Sequence, residues 1–421
     1  MKKIKTCPSG LRVIVHPMKS TRVVASGVFV GVGSAYETKE LSGISHFIEH
    51  MLFKGTSNRS AFTIANDMES IGAQINAFTS RDCTAYYTIS TDEHVEKSFE
   101  ILSDIFFNSL FSEENMKNEK GVVIEEINMC NDDPTDICHD QLNLAHFGFT
   151  GLGRPILGTI DNVKSFTPEK LREHMGKYYC SDNVVISVAG NIDAQKVQEY
   201  IDKYFDSQFD CRVSQKRYLS PKKFNRRFLK TVKPNEQVNI AFGFPSYKLA
   251  DSRIPSLYLM GNILGGGMSS RLFQKLREEN GLVYDVYATD NEYTKTGMFM
   301  IYLAAKPESA ERAIRGVKEV LLDIKKNGIT PEELQKGKEQ LKSSLVFGAE
   351  KAVSIMRSNG MRVLISNRVF DINKKLKQID DITMESVKGV IEDVLNFDNA
   401  SCSYVGKETE FDPLLYLRTN A

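Results

Sequence analysis

Ser42-Gly-Ile-Ser-His46-Phe-Ile-Glu49-His50-Met-Leu-Phe-Lys54 holds two histidines four residues apart, with a glutamate three after the first. On an α-helix, positions four apart stack on one face, so His46 and His50 lie one above the other and Glu49 flanks them. Phe47, Ile48, Met51, Leu52 and Phe53 cover the remaining directions. A helix that is apolar nearly all round is buried. Two imidazoles and a carboxylate are then costly guests unless something satisfies them. A divalent metal would: zinc takes imidazole nitrogens in a tetrahedral shell, and a catalytic site leaves one position for water. The carboxylate beside the histidines is placed to take that water's proton. The plainer alternative is that two core histidines and a glutamate share a helix by chance.

A second helix, from about Glu113 to Met129, carries the next signal. With about 100° per residue, Glu126 falls close to Glu119 on the helical wheel. Met116, Val122 and Val123 lie on either side of the pair, and Glu125 swings toward the opposite face. Two carboxylates inside an apolar stripe need a cation or strong donors. Beside a buried histidine pair, Glu126 becomes the candidate third ligand; a merely ragged stripe is the alternative.

Outward from these helices, the chain is neutral and rich in core-forming residues. Its 421 residues suggest two or three domains. Lys+Arg and Asp+Glu both number 54, so there is no general pull toward nucleic acid or an anionic membrane. No apolar h-region follows Lys2, Lys3 and Lys5, and the longest apolar stretch, Val23–Tyr36, is broken by glycines and too short to span a bilayer. Cys7, Cys83, Cys130, Cys138, Cys180, Cys211 and Cys402 are scattered, odd in number and without a Cys-x-x-Cys pair. They read as reduced thiols in a cytoplasmic protein.

Before the basic segment, strands at Leu11–His16 and Val23–Gly31 precede the His46 helix and a helix at Phe62–Ile71. Two strand-like runs then flank a polar turn near Ser80–Asp82, and helices and the strand Asn183–Gly190 follow. His139, His146 and His174 lack partners at ligand spacing and read as structural or exposed. The segment from Cys211 to Lys230 is crowded with Arg and Lys, and reads as a solvated linker more readily than as a nucleic-acid patch. It places the boundary between a first domain, 1–212, and a second, 228–421, with 213–227 as linker. The second half repeats the order of strands, a helix pair, two strands and helices, so a duplicated α+β domain is expected, each copy a mostly antiparallel sheet packed with helices. All seven histidines precede residue 175, which speaks against a metal centre in the second half. Gly265-Gly-Gly267 lacks the spacing and the Lys-Ser/Thr of a phosphate loop and reads as a helix break.

His46-Phe-Ile-Glu-His50, followed by Met-Leu-Phe-Lys-Gly-Thr56, resembles the inverted zinc motif of the pitrilysin/insulinase family of metallopeptidases. The resemblance implies zinc, one per chain, on His46, His50 and a downstream glutamate at a spacing that Glu126 meets (126 − 50 = 76). It implies Glu49 as the base and Glu119, seven residues before Glu126, as the companion acid. Asn76-Ala77-Phe78-Thr79 is similar to the edge strand on which the family lays its substrate. Arg277-Glu-Glu-Asn-Gly-Leu-Val-Tyr284 resembles an Arg/Tyr pair that faces the zinc from another domain. The chain is most similar to the short processing-peptidase members, in which two chains close like a clamshell. The resemblance therefore implies an endopeptidase acting on peptides or unfolded segments in an enclosed chamber, as a homodimer or a heterodimer with a related subunit. The rival reading is a non-catalytic peptide-binding subunit of a heterodimeric peptidase. Such a subunit is expected to lose a ligand or the base, and here all are present.

Overall fold

The computed structural model describes residues 4–213, 218–219, 221 and 223–419. Its strands are β1 (Lys5–Thr6), β2 (Arg12–Pro17), β3 (Val23–Val30), β4 (Gln74–Thr79), β5 (Thr84–Thr91) and β6 (Val184–Gly190), then β7 (Phe228–Val232), β8 (Val238–Ser246), β9 (Val283–Glu292), β10 (Gly297–Ala305) and β11 (Ser401–Gly406). Helices α1 (Ile44–Leu52), α2 (Ala61–Ser70), α3 (Val95–Phe107), α4 (Glu113–Asp132), α5 (Pro134–Phe147), α6 (Ile160–Ser165), α7 (Pro168–Tyr178) and α8 (Ala194–Tyr204) accompany the first six strands. The later ones are α9 (Ile254–Gly265), α10 (Ala310–Asn327), α11 (Pro331–Ala349), α12 (Ala352–Ser366), α13 (Ile372–Asp380), α14 (Met384–Val394) and α15 (Pro413–Arg418).

The fold is α+β, and its two sheets share one topology. The first runs β1-β2-β6-β3-β5-β4 and the second β7-β11-β8-β10-β9. In each, one pair is parallel (β2 with β6, β11 with β7) and the pairs that follow it are antiparallel. Apart from the short β1, the second sheet repeats the first strand for strand. β4 and β9 occupy the same place in the two sheets, each at an open edge.

Local chemistry explains many of the element ends. The Thr167 hydroxyl accepts from Lys170 N–H at the start of α7, with proline in its first turn. Thr330 and Glu333 exchange side-chain to backbone hydrogen bonds of 2.8 and 3.1 Å, a capping box at the start of α11. Helix α9 ends at Gly265, where an added Cβ would come within 2.3 Å of Ala288 N on β9.

The chain divides into two compact units that interleave in sequence. One comprises Met1–Ile127, Pro155–Leu219 and Val346–Asp371; the other comprises Asn128–Arg154, Ser220–Leu345 and Ile372–Ala421. This differs from a single cut at 213–227. Helix α12, from late in the chain, covers β3 and β6 of the first sheet, while α5, from early in the chain, covers β8 and β11 of the second. A strand such as β3, buried along nearly its whole length, must be covered on both faces. Of the basic linker residues, Lys216, Arg217 and Lys222 lie outside the described residues; Lys223, Arg226 and Arg227 are exposed.

The thiols also depart from expectation. Cys180 and Cys211 form a disulfide, with Cα atoms 5.1 Å apart, and the other five cysteines form none. The pair is 31 residues apart in sequence and carries no spacing signature, so only the fold reveals it. Among the described residues no helix is long and apolar enough to cross a membrane.

Candidate metal centre

Helix α1 is held at both ends of its chemistry. Its N-cap, Gly43, has φ 94°, and a Cβ there would lie 2.4 Å from Leu157 O, so the position requires glycine. The Glu37 carboxylate then accepts from Gly43 N–H at 2.8 Å and Ser45 N–H at 2.9 Å. An anion at a helix N-terminus meets the unpaired N–H groups and the positive end of the dipole. The sequence reading did not single out Glu37; an acidic residue a few positions before a glycine-started helix was its only trace.

From that base α1 directs His46 and His50 toward α4. The two rings stand 4.7 Å apart, centroid to centroid. Donor atoms of His46, His50 and Glu126 all lie within 4.8 Å of one another. Glu126 Oε2 is 3.6 Å from His46 Nε2 and 3.4 Å from His50 Nε2. It is buried and has no hydrogen-bond partner. Two donors about 2.1 Å from one tetrahedral ion lie about 3.4 Å apart. The orphaned oxygen therefore sits at the separations that a shared cation sets, and the donor set of two imidazoles and a carboxylate suits zinc.

Glu119 is 3% exposed and supports the site from behind. It lies 2.8 Å from His50 Nδ1, and its other oxygen takes Lys54 Nζ at 2.8 Å. With Nδ1–H donated to Glu119, His50 presents Nε2 as its free lone pair. Burial opposes charge on Glu119, but hydrogen bonds from His50 and Lys54 keep it below the usual carboxylate range. The histidines diverge: burial and its charged neighbour His50 push His46 down to about 4. Burial also disfavours charge on His50, but the hydrogen bond to Glu119 and the attraction of the Glu126 carboxylate 3.4 Å from Nε2 outweigh it and raise His50 to about 9. The His50 imidazole, its Nε2 3.4 Å away, is the first cause that holds Glu126 below the usual carboxylate range. A cation at His50 Nε2 takes the place of the proton there. Val122, which the wheel sets beside these glutamates, is exposed, as is Glu125.

Glu49 lies on the sheet side of the same helix. Its Oε2 accepts from Thr79 Oγ1 at 2.5 Å, and burial pushes it above the ordinary carboxylate value. A groove of ≈ 280 Å³ opens here, lined by residues that include Glu49, His50, Phe53, Asn76 and Ala77. Arg277 and Tyr284 belong to the other compact unit. There, Arg277, on the π-helical turn Phe273–Glu278, places its guanidinium carbon 5.7 Å from the ring centroid of Tyr284 at the start of β9. Tyr284 is 69% exposed. His139, His146 and His174 are spent on structure: His139 Nε2 pairs with the Tyr287 hydroxyl, His146 Nδ1 with Ser401, and His174 Nε2 with Ser45.

The His-x-x-Glu-His sequence of α1 is the inverted zinc motif, and here its helix faces a glutamate of a second helix. Comparison with known proteins agrees. Residues 12–160 match the family described as "Insulinase (Peptidase family M16)", and residues 165–341 match "Peptidase M16 inactive domain". A Bacillus subtilis protein named "Uncharacterized zinc protease YmxG" is 40% identical over 400 residues, with 95% of this chain and 97% of that one covered. The fold matches that of a peptidase M16 inactive domain from Pseudomonas fluorescens (TM-score 0.91, 19% identity, 98% of this chain and 99% of that one). It also matches a protease from Helicobacter pylori (TM-score 0.90, 22% identity, 96% and 99%). The chain belongs to the insulinase family of peptidases.

Proposed function

We propose that this chain is a zinc-dependent endopeptidase that cleaves peptides or unfolded polypeptide segments. The observation that carries the reading is the convergence of His46, His50 and the orphaned Glu126 Oε2 beside the buried carboxylate of Glu49. Zinc held by these three ligands would supply Lewis-acid polarisation and acidify a water. Glu49, anchored through Oε2 by Thr79, keeps its second oxygen for the proton of the attacking water and returns it to the leaving amine. Glu119 fixes the His50 ring. The open edge of β4, over Asn76, Ala77, Phe78 and Thr79, takes an extended peptide by strand addition, which reads backbone more than side chain.

The natural assembly in this reading is a pair of chains enclosing the substrate, with exposed Tyr284 and Arg277 of one chain stabilising the developing oxyanion at the metal centre of the other. A homodimer in the cytoplasm is the simplest form, and a related subunit could replace one chain. The test is zinc content per chain, measured together with hydrolysis of a quenched, unstructured peptide. One zinc per chain with turnover is expected. Zinc without turnover would favour the peptide-binding subunit, and a chain with neither zinc nor turnover would overturn the reading.

A further inference from the structure

The edge strand β4 has two faces, and the metal centre uses one. Ala77 is paired opposite Tyr86, whose ring packs near Phe53 of α1 and Phe106 of α3, and the Thr79 hydroxyl reaches Glu49. These residues define the metal face. Asn76 is paired opposite Tyr87, and the Phe78 ring lies 6.4 Å from both Tyr87 and Phe29. On this side of the sheet α12 lies over β3 and β6, and only its margin reaches the Phe78 and Tyr87 rings.

Helix α12 is set closely on the sheet. A Cβ at Gly360 would fall 2.3 Å from the Phe29 ring, so only glycine admits this approach. Ser187 Oγ donates to Met356 O at 2.8 Å and Arg12 Nη1 to Val363 O at 2.9 Å, which fixes the helix along its length. At its exposed margin stands Arg357. Its guanidinium carbon is 5.1 Å from the Phe78 ring centroid and 4.7 Å from that of Tyr87, and Nη2 donates to the Tyr87 hydroxyl at 2.5 Å. Two aromatic rings and one hydrogen bond thus hold a cation in place. No carboxylate of the described residues pairs with it, and its other N–H groups remain available.

We infer that Arg357 is a specificity residue that selects an acidic side chain in the docked peptide. The inference rests on the proposed strand addition at β4. An added strand would lie about 4.8 Å from β4 and keep the alternation of a sheet. Every second side chain would then stand on the α12 face, about 5 Å from Asn76 or Phe78. An Asp or Glu at such a position meets a preorganised guanidinium, whose fork suits a carboxylate in two-point contact. The neighbouring positions point toward the metal face and do not meet it. The consequence is a parity rule: acidic residues favour binding at alternate positions only.

The test scans a single Glu, against Gln, along an otherwise neutral unstructured peptide. The Glu/Gln ratio of kcat/KM is read within each protein variant, so that any general loss of fold or activity cancels. In the wild-type chain the ratio should alternate with a period of two, with maxima of roughly three- to tenfold, the range of a partly exposed charge pair with good geometry. Arg357→Gln should flatten the alternation, and Arg357→Glu should invert it and favour Lys over Gln at the same positions. If the peptides bind but are not cleaved, the same ratio is read from fluorescence anisotropy, which tests Arg357 apart from the proposed hydrolysis. A ratio without alternation, or an alternation that survives Arg357→Gln, overturns the assignment. Peptides that neither bind nor are cleaved overturn it together with the strand-addition reading.

Discussion

Three glutamates on one helix face different surroundings, and their amides should separate their roles. Glu126→Gln replaces an anionic ligand by a neutral amide and should strip zinc. Glu119→Gln leaves the ligands and loses the anion behind His50, so zinc should weaken by about 10–100-fold without being lost. Glu125→Gln, on the exposed side, should change neither. Elemental analysis after dialysis against a graded chelator reads all three, and zinc lost from Glu125→Gln alone would invalidate the assignment. Thr79 acts through Glu49 at 2.5 Å. Thr79→Val should lower kcat by roughly tenfold, less than the about 10²–10⁴-fold of a general base itself because the carboxylate stays in place, with zinc content unchanged. Thr79→Ser, which keeps the hydroxyl, should restore most of it; a valine variant equal to wild type would remove the anchoring role.

At the scale of the element, periodicity decides what a sequence shows. The helices α1 and α4 were legible because histidines at four-residue spacing and glutamates at seven-residue spacing place polar groups inside apolar stripes. Their pairing with each other was not, since no local pattern records which helices meet. Helix α12 stayed hidden for a different reason: its buried side holds Asn359 and Gly360 among Ala352, Ile355, Met356 and Val363, which blunts the apolar stripe. Strand β11 is buried throughout yet contains Ser401, Cys402 and Ser403, and a strand covered on both faces shows no alternation. Those serines are matched by α5: Ser401 pairs with His146, and the Ser403 hydroxyl lies 3.5 Å from Cys138 Sγ. Burial pushes His146 of α5 and, with a further push from Lys177, His174 of α7 down to about 3. The unfolded chain takes up both protons as pH falls through about 6.5 while the folded chain does not. Stability is therefore full above that pH and falls toward about 3, by up to about 1.4 kcal/mol per pH unit for each histidine. Denaturant midpoints should drop between about pH 6.5 and 5, and a flat profile there would contradict the buried neutral state.

For the whole molecule, the repeated topology and the one candidate metal centre among the described residues set the expectation. Both sheets share one strand order, yet the histidines of the second unit, His139 and His146, are spent on Tyr287 and Ser401, so the second copy offers Arg277 and Tyr284 and, among the described residues, no second histidine centre. If that pair serves a second chain, mixing Glu49→Gln chains with Tyr284→Phe chains should rebuild one intact site per mixed dimer. Activity should return from two nearly inactive parents. With subunit exchange confirmed, the absence of recovery would place the pair in its own chain's chemistry or outside it. If His46, His50 and Glu126 hold a zinc against which Glu49 moves a proton, the rate at which zinc-loaded Glu49→Gln hydrolyses a quenched unstructured peptide must fall. Zinc content equal to wild type with a rate lower by about 10²–10⁴-fold or more is the predicted result. Hydrolysis near the wild-type rate at full zinc content would contradict it.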